Sequence, residues 1–303
     1  MTKIPFTGFD AFLLALESQY HQRGTVGNVC RYVIDIEDRI SKDELESILN
    51  ANPSAVQLFN TAYEKAAALK IPFWIFQNSS EIHVGEIEDD MLIPDAVREH
   101  DLHPARQCLA IDIVNRSNGK CTIIFSWNHL LMDGYGAVLF LKQLFASTPN
   151  QDNILTSYKT PVFSFTTFLK AAKAKFFIDY SSRLPVSVLS PKTADFEFKE
   201  VIKVITFTNA DRQLMDQSAL KSGARYGRSA FYLACATRAV QAVLVKRQSK
   251  VSNFWIPVPR DNRRKGAKGP IIGNRLSFLF YRLKKTHMTS IANCVSEINR
   301  QMV

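Results

Sequence analysis

SWNHLLMDGYGAVLF, Ser126–Phe140, is the stretch on which the reading of this chain turns. An apolar run ends at Asn128-His129. Three apolar residues follow, then Asp133 and Gly134, then a helix-like apolar pattern through Val138, Leu141, Leu144 and Phe145. A histidine on a tight strand-to-helix connection can turn its ring into a cleft. Its ordinary pKa of about 6.5 suits proton transfer near neutral pH. Asp133 can fix the loop by pairing with an arginine. Gly134 leaves space beside the ring and tolerates unusual backbone angles. Of the six histidines, His129 alone has an aspartate four residues on. The residues leave three readings open: a general base, a hydrogen-bonded core histidine, or a His129–Asp133 metal pair. The last lacks a third ligand at a useful spacing, so no metal is expected.

Outward from this stretch, Gln107–Val114 and Cys121–Trp127 flank Asn118-Gly119 and read as a hairpin. Phe9–Tyr20 reads as a helix and Asn28–Ile36 as a strand. Ser41 to Glu44 matches a capping box that opens a helix to about Asn50. Asn52-Pro53 starts another, expected to run to about Leu69. Strands are expected at Phe73–Gln77 and Glu81–Glu86. Residues 146–195 read as a crossover carrying one basic amphipathic helix, Phe165–Tyr180. Beyond it come a strand at Val201–Phe207, helices at Asp211–Ser222 and Ser229–Lys246, strands at Phe254–Val258 and Leu276–Leu283, and a last helix from Thr289.

The chain of 303 residues is long enough for two domains. Its charge is uneven. Residues 1–150 hold 12 Lys+Arg against 19 Asp+Glu, a net −7, and the remainder carries +17 of the overall +10. A basic half favours anionic partners, or attraction to the acidic half. The five scattered cysteines form no C-x-x-C and read as reduced thiols of a cytoplasmic protein. The N-terminus lacks a secretory pattern. Ser229–Val245 is short for a bilayer span and carries Arg238 near its middle. G-x-S-x-G, H-E-x-x-H, Walker A and G-x-G-x-x-G are all absent.

Asn128-His129-Leu130-Leu131-Met132-Asp133-Gly134 resembles the (H)H-x-x-x-D-G motif of the chloramphenicol acetyltransferase-like acyltransferases. Pro257-Val258-Pro259-Arg260 with Ile272-Gly273-Asn274-Arg275-Leu276-Ser277 is similar to the P-V-x-x-R … G-N-x-x-S segment of the wax ester synthase/diacylglycerol acyltransferase branch. Peptide-synthetase condensation domains are another branch. The resemblance implies an α/β fold: a mixed sheet with flanking helices in a two-subdomain sandwich. It divides the chain into 1–150 with the motif, a crossover at 151–195 and a subdomain at 196–303. The second subdomain is expected to be incomplete, since the family's late D-F-G-W-G-like segment is missing.

The resemblance also implies chemistry. His129 would be the base that takes the proton from a hydroxyl or amine acceptor. The acceptor would attack an acyl thioester on coenzyme A or a carrier's phosphopantetheine, a co-substrate and not a bound cofactor. Asp133 and Gly134 would support the loop, with Arg260 as the partner of Asp133. Asn128, which stands where double-histidine members have their first histidine, would face substrate. Asn274 and Ser277 would line the channel and polarise the thioester carbonyl, or cap and pin a strand. Arg263, Arg264, Lys265 and Lys268 could grip phosphates, or form a solvated loop. Without interleaved aromatics, that run does not read as a nucleic-acid site. An acidic carrier protein is a candidate partner. The Phe165–Tyr180 helix is a candidate for peripheral membrane contact or for packing on a domain seam. The competing reading is a non-catalytic relative that binds acyl ligands, a carrier or a partner protein.

Overall fold

The computed structural model describes residues 3–22, 26–64, 72–77, 81–145, 165–182, 203–225, 227–261, 263 and 271–301. Two compact units emerge: residues 1–161 with 261–277, and residues 162–260 with 278–303. The G-N segment therefore belongs to the same unit as the histidine loop.

In chain order the first unit contains β1 (Ile4–Pro5), α1 (Gly8–Gln22), β2 (Val29–Ile36), α2 (Lys42–Ala51), α3 (Pro53–Phe59), β3 (Thr61–Glu64), β4 (Phe73–Phe76), β5 (Gly85–Glu88), α4 (Asp95–Arg98), β6 (Leu109–Asn115), β7 (Cys121–Asn128) and α5 (Gly134–Leu144). The main sheet has the order β2-β7-β6-β5, and a smaller one runs β1-β4-β3. β7 is an inner strand, antiparallel to β2 and β6, and all eight of its residues are buried. Its apolar run is thus continuous instead of alternating, as in strands covered on both faces. Cys121, Ile123, Phe125 and Trp127 join Leu109, Ile111 and Ile113 in the main core, against Leu13, Leu45, Leu49, Leu58 and Phe140 from the helices. Ile124 and Val114 face the other way, under Val97. Each fully buried side chain of this size contributes about 1.5–3 kcal/mol.

Three expectations differ from what is observed. The helix expected from Pro53 to Leu69 stops at Phe59, capped by Asn60. Thr61–Glu64 pairs antiparallel with β4 instead, so sheet pairing overrides local helix propensity. The strand expected at Glu81–Glu86 is displaced to Gly85–Glu88, where it lies parallel to β6. Of the strand expected at Val201–Phe207, the described part, residues 203–207, is exposed and has no ladder partner among the described residues.

The second unit holds α6 (Phe165–Ser182), α7 (Asn209–Lys221), α8 (Arg228–Lys246), β8 (Phe254–Asp261), β9 (Leu276–Leu283), a 3-10 turn (Lys285–Thr289) and α9 (Ile291–Gln301). β8 and β9 pair as a two-stranded sheet. Its core joins Phe231, Ala234 and Leu244 of α8 to Cys294, Val295 and Ile298 of α9. Gln301 locks α9 to β9 by exchanging two hydrogen bonds of 2.8 Å with the Arg282 backbone. Among the described residues, no helix is long and apolar enough to cross a membrane.

Candidate functional site

His129 follows β7 directly, and its N–H donates to the Asn28 carbonyl at 2.8 Å, which continues the β2–β7 pairing. Leu130, Leu131 and Met132 are almost completely buried and nail the loop to the core. Asp133 then caps α5, its Oδ1 accepting from the Gly136 N–H at 2.8 Å. The sequence order strand, histidine, apolar triplet, aspartate, helix is therefore a strand end, an anchored loop and an N-cap.

Every carbonyl of the loop is held from outside it. The Asn274 amide donates to His129 O at 3.0 Å and Leu130 O at 3.1 Å. The Gly273 N–H donates to Leu131 O at 2.7 Å, and the Trp127 indole to Met132 O at 3.0 Å. Gly273 has φ +91, a conformation that glycine adopts without strain. The turn it makes brings backbone and amide of the G-N pair onto the loop together. Asn274 is buried and spends its amide on this scaffold, with a further 3.4 Å contact to Asp10. Its Nδ2 bonds fit the structural reading, in which Asn274 pins the chain. Ser277 lies half-buried in β9.

Asp133 collects four donor contacts. Arg263 Nη1 reaches its two oxygens at 3.0 and 2.8 Å, and the Arg275 N–H reaches Oδ2 at 2.9 Å, beside the Gly136 cap. Both side chains of the Arg263–Asp133 pair are buried. The guanidinium also lies 5.4 Å from the Tyr135 ring centre. The partner of Asp133 is thus Arg263, not Arg260, which is exposed in β8. A guanidinium committed to a buried carboxylate is also not a phosphate grip, which removes Arg263 from that set. Arg264, Lys265 and Lys268 lie outside the described residues.

Asn128 is likewise a structural residue. It is fully buried; its amide donates to Glu17 Oε1 and Leu102 O, each at 2.8 Å, and its oxygen accepts from the Leu130 N–H at 3.0 Å. With each polar atom engaged, it has none to offer a substrate. Glu17 was not evident from the motif. It is buried and accepts from Asn128, the Asn28 N–H and His21. Asp10 was also missed. It exchanges bonds with Thr7 ahead of α1 and touches Asn274. Burial raises its pKa, opposed by the bonds from Thr7 and Asn274. One signal was available: Asp10, Leu13 and Glu17 share a helical stripe with apolar residues, where a solvated carboxylate does not belong.

Gly136 is the glycine that the packing demands. A Cβ there would meet the Ile271 carbonyl at 2.7 Å, whereas at Gly134 it would stand 3.3 Å from the Tyr32 hydroxyl. Gly134 instead accepts the Tyr32 hydroxyl on its carbonyl at 2.8 Å.

The His129 ring is half-buried. Its Nδ1 is buried with no hydrogen-bond partner among the described residues. The imidazole therefore stands on a loop with a fixed backbone, and among the described residues no carboxylate is hydrogen-bonded to its Nδ1. Among the described residues, no group of three or more His, Cys, Asp or Glu could hold a metal. The cysteines are free, and burial pushes the Cys30 thiol up to about 11, away from thiolate chemistry.

No family model and no curated protein matches the sequence. Solved structures do. The first condensation domain of the calcium-dependent antibiotic synthetase, in complex with a substrate analogue, aligns with TM-score 0.69 at 13% identity, covering 99% of this chain and 74% of that one. The tallysomycin biosynthesis protein TlmII gives 0.62 at 12%, over 99% and 72%. A variant starter condensation domain of rhizomide synthetase, in complex with C8-CoA, gives 0.62 at 13%, over 99% and 72%. The chain has the condensation-domain fold. That is the chloramphenicol acetyltransferase-like α/β architecture implied by the motifs. At these identities the likeness concerns the fold.

Proposed function

We propose that this chain is an acyltransferase that moves an acyl group from a thioester donor to a hydroxyl or amine, with His129 as general base. The observation that carries the reading is the mounting of His129: at the end of the inner strand of a condensation-type fold, on a loop whose carbonyls are all held by fixed donors. His129 Nε2 takes the acceptor's proton as its oxygen or nitrogen attacks the thioester carbonyl. The C–S bond then breaks, and the imidazolium returns the proton to the departing thiolate. Asp133 and Arg263 keep the loop in place and take no part in the proton transfer.

The donor would be an acyl-CoA or a carrier-bound phosphopantetheine thioester. The rhizomide domain solved with C8-CoA supports the former, and an acidic carrier protein is the proposed partner for the latter. In domain terms, residues 1–150 would supply the base and 151–195 the crossover; of the second subdomain expected at 196–303, residues 261–277 group with the first unit.

The test is thiol release from a panel of acyl-CoAs with alcohols and amines, products identified by mass spectrometry. His129→Ala should slow turnover about 10²–10⁴-fold. Equal turnover in both proteins would remove the base assignment. Asn128 favours a second reading, a relative that binds acyl ligands without turning them over, because a fully engaged amide stands where some members carry a histidine. Saturable acyl-CoA binding without thiol release would select that reading.

A further inference from the structure

Helix α6 supplies no residue to the core of its unit among the described residues. Phe165, Leu169, Phe176 and Tyr180 are 68%, 49%, 72% and 62% exposed. At one turn per 3.6 residues these four fall within a sector of about 60°. Phe176 and Tyr180 stack with ring centres 6.3 Å apart. Lys173 and then Lys170 border the sector on one side. On the other side Asp179 stands nearest, with Lys175 beyond it, the two paired at 2.7 Å. A contiguous exposed apolar stripe rimmed by charge marks a contact surface.

We propose that α6 lies in the plane of an anionic lipid surface, its aromatic stripe in the interface and its lysines on the phosphates. Three features select lipid as the occupant. The stripe is aromatic-rich and straight along one helix face, which fits a flat interface. Lys173 and Lys170 line one edge, where their stems can snorkel to headgroups. The surrounding half of the chain carries +17, which adds attraction of the same sign. No described helix meets the length and hydropathy of a membrane span, so α6 would lie on the bilayer and not through it.

The experiment is co-sedimentation of the 303-residue chain with phosphatidylcholine vesicles, with and without phosphatidylserine. Circular dichroism checks each variant's fold, and light scattering follows its mass. The chain should pellet with the phosphatidylserine vesicles only, and added salt should release it. Leu169→Ser and Phe176→Ser should each weaken partitioning roughly tenfold. Lys170→Ala and Lys173→Ala should each weaken it about fivefold. Failure to pellet, equal binding to phosphatidylcholine alone, or an unchanged Leu169→Ser/Phe176→Ser variant would each overturn the proposal. A dimer dissolved by that same variant would instead assign the stripe to a second copy of the chain. None of these readouts depends on acyl transfer.

Discussion

One amide of Asn274 spans two successive carbonyls, those of His129 and Leu130, across 145 and 144 residues of sequence. The candidate base is therefore held by a residue far from it in the chain. Asn274→Ala would leave both carbonyls unpaired in a buried place and should cost about 1–3 kcal/mol. Urea denaturation measures it. Thiol release should fall as well, because the loop carrying the imidazole loosens. An unchanged midpoint would show that the two carbonyls find other donors.

Asp133 distinguishes its two candidate arginines energetically. Arg263→Met strips a buried carboxylate of its cation and should destabilise by about 3–5 kcal/mol. Arg260→Met, at an exposed strand position, should cost no more than about 1 kcal/mol. Thermal unfolding of the pair checks the assignment, and the reverse ranking would refute it.

The two glycines after Asp133 should also differ. Gly136→Ala drives a methyl against the Ile271 backbone carbonyl, which no rotamer change relieves, so a loss of about 1–3 kcal/mol is expected. Gly134→Ala meets only a tyrosine hydroxyl and should cost less than about 1 kcal/mol. Comparison of the two denaturation midpoints decides this.

Asp112 predicts a pH dependence. It is buried on the β6 face that meets Ile124, and its Oδ2 has no hydrogen-bond partner among the described residues. Burial raises its pKa above 3.8, opposed by His100 and Arg31. The folded state therefore holds this proton more tightly than the unfolded state. The resulting penalty is absent below pH 3.8 and grows as pH rises from there through the raised folded value. In Asp112→Asn this fall in stability with pH should flatten. Denaturation across acidic to neutral pH tests it, and parallel curves for the two proteins would exclude Asp112 as a source of the slope.

Local chemistry was legible where it governs structure. The Asn118-Gly119 turn sits between β6 and β7 as its residues indicate, and Ser41 caps α2 by accepting from the Glu44 N–H. The apolar run into His129 and the helix after Asp133 are likewise visible in the order of residues. Thr61–Glu64 was not legible, because its choice of strand depends on β4 being available beside it. Arg263 was hidden for a related reason. Five basic residues crowd positions 260–268, and nothing in their order tells which one turns inward.

The sequence alone therefore determined the histidine loop, the elements on either side of it, and the resemblance of both motifs to one acyltransferase fold. Turn residues, caps and apolar runs act within a few positions of themselves, so they can be read in order. Only the tertiary structure decided what Asn128, Asn274 and Arg263 do. Each is a polar side chain able to face substrate or solvent. What commits it to the scaffold is burial beside Glu17, the His129 carbonyl or Asp133, partners fixed by packing between distant segments.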